Sequence, residues 1–160
     1  MKKTANIFCV LVAFMLLAAC QNNGDIGKYF GTWRIDSYTL NSEAVGTVEV
    51  YGVYEVPVSN CTFSFQNSVV NVVTVLDDYM SNNSVFGSWS EDGDTFTLDF
   101  THVDAETPQG TGQYSAPKWL GMVSDEPMVM KISNSLKDSF TLTWTDHDGN
   151  VRVYNLHKTW

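Results

Sequence analysis

The chain has 160 residues, with 18 Asp and Glu against nine Lys and Arg, for a formal charge of −9. That acidic balance argues against nucleic acid as a partner and against electrostatic adhesion to anionic lipid. The length suits one ordinary domain and is too short for two.

Met1-Lys2-Lys3 is basic, Ile7 to Ala19 is an almost unbroken apolar run, and the small residues Ala18-Ala19 precede Cys20. This is the three-part plan of a secretory signal. The run falls short of the roughly 20 apolar residues a spanning helix needs. Leu17-Ala18-Ala19-Cys20 resembles the bacterial lipobox. The resemblance implies cleavage before Cys20, acylation of that residue with fatty chains such as palmitate, and a durable anchor, since each buried CH₂ contributes about 0.8 kcal/mol. The alternative is a soluble secreted protein cut near Ala19. Residues 1–19 are thus expected as signal peptide and 20–28, polar with two glycines, as a tether. The domain is expected over 29–160. Lys2 and Lys3 leave with the signal, so the mature balance is 7 − 18 = −11. Cys9 also leaves and Cys20 is modified, so Cys61 stands alone and no intramolecular disulfide can form.

The domain opens on Phe30-Gly31-Thr32-Trp33-Arg34-Ile35-Asp36-Ser37-Tyr38-Thr39-Leu40, whose β-branched and aromatic residues suit a half-buried strand. Val45 to Val58 predicts another, bent at Gly52. In Cys61-Thr62-Phe63-Ser64-Phe65 alternation places Cys61 on the apolar face, as a buried small residue. Val69 to Leu76 is nearly all β-branched and needs partial cover on both faces. Val85–Ser90 and Thr95–Phe100 flank Glu91-Asp92-Gly93-Asp94, a hairpin with Phe96, Leu98 and Phe100 inward. Residues 104–126 are long for a structureless loop and predict a flap, or a short helix near Trp119, that gates or lines one end. Met128, Met130 and Ile132 alternate as a further strand. Ser139–Trp144 and Val151–Lys158 then flank a second turn, Asp146-His147-Asp148-Gly149-Asn150.

Eight to ten short strands and no helix of consequence predict an all-β antiparallel up-and-down barrel, with a β-sandwich as the alternative. Gly31-Thr32-Trp33 followed by an extended run resembles the opening motif of lipocalins and of lipocalin-like domains in Bacteroidetes lipoproteins, and Val151 to Lys158 is similar to their closing strand. The resemblance implies a barrel closed by pairing of first and last strands, with Gly31, Trp33 and Lys158 at the closed end. Lys158 stands where the family usually places Arg, Arg152 being the other basic candidate. It also implies a lipid-anchored envelope protein, outer-membrane and periplasmic-facing, that binds a small hydrophobic or amphipathic ligand.

Aromatic and methionine side chains beyond the needs of closure are the ligand-lining candidates: Trp89, Tyr114, Trp119, Met130 and Trp144. They serve equally well as packed core, since an eight-stranded barrel is just wide enough for its own side chains or one small ligand. An envelope scaffold that meets another protein is the competing reading. No nucleophile elbow, metalloprotease motif or paired-Cys spacing occurs, so neither an enzyme nor a cofactor is expected. His102, His147 and His157 are mutually isolated and offer no zinc site. Asp146-x-Asp148-Gly149-Asn150 lacks the distal Glu of an EF-hand and reads as a turn.

Overall fold

The alternation of Gly31–Leu40 (β1) sets the frame: Gly31, Trp33 and Ile35 are buried while Arg34, Asp36 and Ser37 are exposed. A bulge between Ile35 and Ser37 then shifts the phase, so that Tyr38 and not Ser37 turns inward. The computed structural model describes residues 27–77, 81–101 and 116–159. The expected signal and lipobox, Cys20 included, and Tyr114 lie outside them. Residues 27–30 form a small turn of their own, closed by Phe30 N–H donating to the Gly27 carbonyl.

After β1 the strands are Glu43–Val45 (β2), Thr47–Val50 (β3), Tyr54–Pro57 (β4), Cys61–Gln66 (β5), Val69–Asp77 (β6), Ser81–Asp92 (β7), Thr95–Asp99 (β8), Met128–Ser133 (β9), Ser139–Thr145 (β10) and Val151–Lys158 (β11). Strands β5 to β11 each pair antiparallel with the next, β1 pairs with β5, and β11 returns to β1. The result is a closed barrel of eight strands. Trp33 pairs with Lys158 and Leu40 with Arg152 in the closing ladder, as an even strand number requires. The sandwich alternative is thereby excluded. The short β2 folds back on the end of β1, and β3 with β4 makes a separate two-stranded sheet.

The strand expected over Val45 to Val58 is instead this β3–β4 hairpin. Tyr51 and Gly52 both take positive φ, 55° and 68°, and Val53 N–H donates to the Val50 carbonyl at 3.2 Å, which reverses the chain where a mere bend was expected. The β10–β11 turn is a plain hairpin: Asp146 Oδ1 accepts the Asp148 and Asn150 amides at 3.0 and 2.8 Å. A 3₁₀ turn at Lys118–Leu120 supplies the short helical piece expected near Trp119.

One end of the barrel is filled by rings. Trp33 meets Phe140 edge-on at 4.6 Å, Phe65 lies 5.1 Å from Phe96 and 5.2 Å from Trp89, and Trp89 stacks on Phe96 at 5.1 Å. Gly87 makes room for a further ring, Phe100, because a Cβ there would lie 2.6 Å from both the Asp99 carbonyl oxygen and the Phe100 ring. The short turns 67–68 and 93–94 and segment 134–138 close this end. The longer connections leave from the other end, the mouth.

Candidate functional site

Inward positions near the mouth change character. β5, β6 and β7 bring Cys61, Thr74 and Asn83 side by side, Cys61 paired with Thr74 and Thr74 with Asn83. All three are buried, and among the described residues Thr74 and Asn83 are the buried polar side chains inside the barrel wall. They form an uncharged polar floor above the apolar interior.

Two aromatic residues latch onto that floor from outside the barrel wall. Tyr51, at the tip of the β3–β4 hairpin, donates its hydroxyl to Asn83 Oδ1 at 2.7 Å. Trp119, in the 3₁₀ turn, donates Nε1–H to Thr74 Oγ1 at 3.1 Å. Their ring centroids are 5.9 Å apart, so the hairpin and the turn meet over the mouth. Thr74 Oγ1 lies 3.5 Å from Cys61 Sγ. Burial pushes the Cys61 thiol pKa up, against the weaker opposing pull of Thr74 and Trp119, so this cysteine is a neutral packing group. Among the described residues the Asn83 amide nitrogen Nδ2 is buried without a hydrogen-bond partner, as are Trp89 Nε1 and Arg152 Nε. Such an orphan donor is uncommon in a folded interior.

A second polar cluster braces the mouth on the β10–β11 side. Arg152 Nη1 pairs with Asp146 Oδ2, both side chains being about 15% exposed or less, and the guanidinium lies 5.3 Å over the Trp144 ring. Tyr154 stacks on Tyr38 at 4.9 Å and donates its hydroxyl to the Leu120 carbonyl at 2.6 Å, tying the 3₁₀ turn to the wall. Burial first, and then neighbouring Tyr38, raises the Tyr154 pKa well above the usual phenol, which keeps it a donor. His147 reaches Glu126 at 2.6 Å, a further tie between the β10–β11 turn and segment 116–126. Beside the turn an open cleft of about 470 Å³ is lined by Lys118, Gly121, Met122, Val123, Ser124 and Asp125. Gly121, at φ 74°, allows the chain to pass against Arg152, since a Cβ there would stand 2.2 Å from Nε.

The residues expected to line a ligand do not share one wall. Trp89 belongs to the aromatic layer at the far end, Met130 is a core residue opposite Phe96, and Trp144 carries Arg152. Trp119 alone of the described four sits over the polar floor. Gly31 starts β1 and Trp33 meets Lys158 at the closed end, away from the mouth. Thr74 and Asn83 were not singled out from sequence, although Thr74 continues the inward phase of Val70 and Val72 and so marks a polar residue where an apolar one was due.

The fold and this two-ended interior define a lipocalin-like β-barrel. Its fold is shared by a lipocalin-like protein from Bacteroides uniformis, at a TM-score of 0.53 and 14% identity over 82% of this chain and 99% of that one. An uncharacterised protein from Bacteroides eggerthii aligns at a TM-score of 0.50 and 12% identity over 79% and 98%. No protein-family model matches the sequence, and no curated protein matches it either.

Proposed function

We propose that the chain is a lipoprotein of the bacterial cell envelope, tethered through Cys20 to the outer membrane on its periplasmic side, whose barrel takes a small amphipathic ligand at the mouth. The observation that carries the ligand reading is the polar floor of Thr74 and Asn83 beneath the Tyr51–Trp119 latch, with one donor left over. The far end is sealed by aromatic packing, so a ligand enters from the hairpin side and stays shallow. Such a site needs few polar groups, set in a largely apolar surround. The reading contains no catalytic step. Native mass spectrometry of the membrane-extracted protein tests it: the expected result is a non-covalent adduct of small-molecule size, lost in a Thr74→Val, Asn83→Leu double variant.

A second reading, an envelope scaffold that docks another protein, is favoured by one observation. The ring cluster of Trp33, Phe65, Trp89, Phe96 and Phe140 fills the far half of the barrel with mutual contacts, while Tyr51 and Val53 at the hairpin tip are 61% and 75% exposed. Protein captured on the wild-type barrel but not on a Val53→Ser variant, with no small-molecule adduct, supports that reading over the first.

A further inference from the structure

Tyr51 stands where its own backbone argues against it. The first central position of a turn with two positive φ values favours Asn, Asp or Gly, and an aromatic side chain there, at φ 55°, carries strain. What the tyrosine brings is its hydroxyl, held on Asn83 Oδ1. Trp119 lies in the three-residue turn that Tyr154 ties to the wall, with its indole N–H on Thr74 Oγ1. Both hydrogen bonds run from an aromatic group on a connecting segment to a barrel-wall residue, and among the described residues they leave Asn83 Nδ2 buried and unused. Asn83 is 9% exposed. A side chain locked between two strands with an unpaired donor offers that donor to whatever replaces the latch.

We infer that Asn83 and Thr74 are the specificity-determining residues of the mouth site, and that they select a ligand whose leading group is a neutral oxygen acceptor, a carbonyl or ether, in preference to a carboxylate or an ammonium. The inference rests on the ligand reading given above and names its chemistry. Tyr51 and Trp119 occupy, in the closed form, the positions of the ligand's head and first carbons. When the Tyr51 hydroxyl and the Trp119 indole rotate off the floor, the turn itself staying tied through Leu120, the acceptor oxygen takes the Asn83 Nδ2 donor and the Thr74 hydroxyl, water from the mouth takes Asn83 Oδ1, and the ligand's apolar tail lies against the rings.

Charge discrimination follows from what surrounds the floor. Cys61, Thr74, Asn83, Tyr51 and Trp119 carry no formal charge, and the nearby ionic pair, Arg152 with Asp146, is already neutralised within itself. A carboxylate or ammonium brought to an uncharged floor loses its hydration with no counter-charge to replace it. A ketone loses far less and gains a donor that otherwise stays unpaired.

The test uses the full-length protein in lipid nanodiscs, with empty nanodiscs as the partition blank, titrated calorimetrically with 2-octanone, octanoate and octylammonium. The expected result is that 2-octanone binds best, that Asn83→Leu and Thr74→Val each weaken it roughly tenfold, and that Tyr51→Phe, which unlatches the hairpin, tightens it. If Asn83→Leu fails to fold, Thr74→Val carries the comparison. Octanoate or octylammonium binding as tightly as the ketone overturns the inference, as does ketone affinity unchanged in both floor variants. The first outcome leaves the ligand reading standing, whereas the second places the ketone away from the floor and counts against the site of that reading as well. Absence of binding by all three probes, to the wild type and to Tyr51→Phe alike, removes the ligand reading and this inference together.

Discussion

Lys158 faces Trp33 across the seam where the last barrel strand meets the first, its Nζ 5.2 Å from the indole centroid. Trp33 is 1% exposed and also packs edge-on with Phe140, so the cation lies over a ring already held in the core. Trp33→Ala is expected to destabilise the barrel by about 3–5 kcal/mol, as a buried large-to-small change. Lys158→Ala should cost only about 0.5–1 kcal/mol, the scale of a partly solvated cation–π contact. Urea unfolding of the two variants checks the ratio, and equal losses would contradict the assignment of Trp33 to the core.

Acid should loosen the mouth before it affects the closed end. The hydrogen bond from Arg152, followed by those from Asn150, holds the Asp146 carboxyl at a pKa of about 2, against 3.8 for an ordinary aspartate. A carboxyl with a depressed folded pKa contributes its stability in full above the unfolded value and loses it as pH falls through the folded one. The loss therefore spans roughly pH 4 down to 2. Asp146→Asn should lower stability at neutral pH and flatten the decline across that window, read from denaturation midpoints at a series of pH values.

Gly87 is expected to tolerate no side chain. Its Cβ would strike the Asp99 carbonyl oxygen, part of the neighbouring strand and unable to rotate away, and the Phe100 ring. Gly87→Ala should cost about 1–3 kcal/mol by overpacking. Gly46, where among the described residues only its own chain neighbours could come within 4 Å of an added Cβ, is the control, and Gly46→Ala should stay within about 0.5 kcal/mol of the wild type.

Anchoring is tested at one atom. If the thiol of Cys20 carries the acyl chains, Cys20→Ala should move the protein from the membrane fraction to the periplasmic extract without changing the melting temperature of the barrel. Membrane association that survives the substitution would show that the tether is not the anchor.

Alternation alone determined most of the barrel: Cys61-x-Phe63-x-Phe65, Phe96-x-Leu98-x-Phe100 and Phe140-x-Leu142-x-Trp144 declare their inward faces because a strand's side chains repeat every two residues. The turn at Gly93 and the pairing of Trp33 with Lys158 were likewise legible, the first from local backbone chemistry and the second from the parity of an up-and-down meander. The Tyr51-Gly52 reversal was missed because tyrosine is not a residue that announces a tight turn, and its conformation is sustained by Asn83, 32 positions away. The spread of the ligand-lining candidates over both ends of the barrel was hidden for a related reason. A count of aromatic residues cannot say which end of a barrel each ring occupies, and that depends on strand tilt and register. Only the tertiary structure brought Thr74, Asn83, Tyr51 and Trp119 together, since hydrogen bonds between residues so distant in sequence leave no periodic signal in the chain.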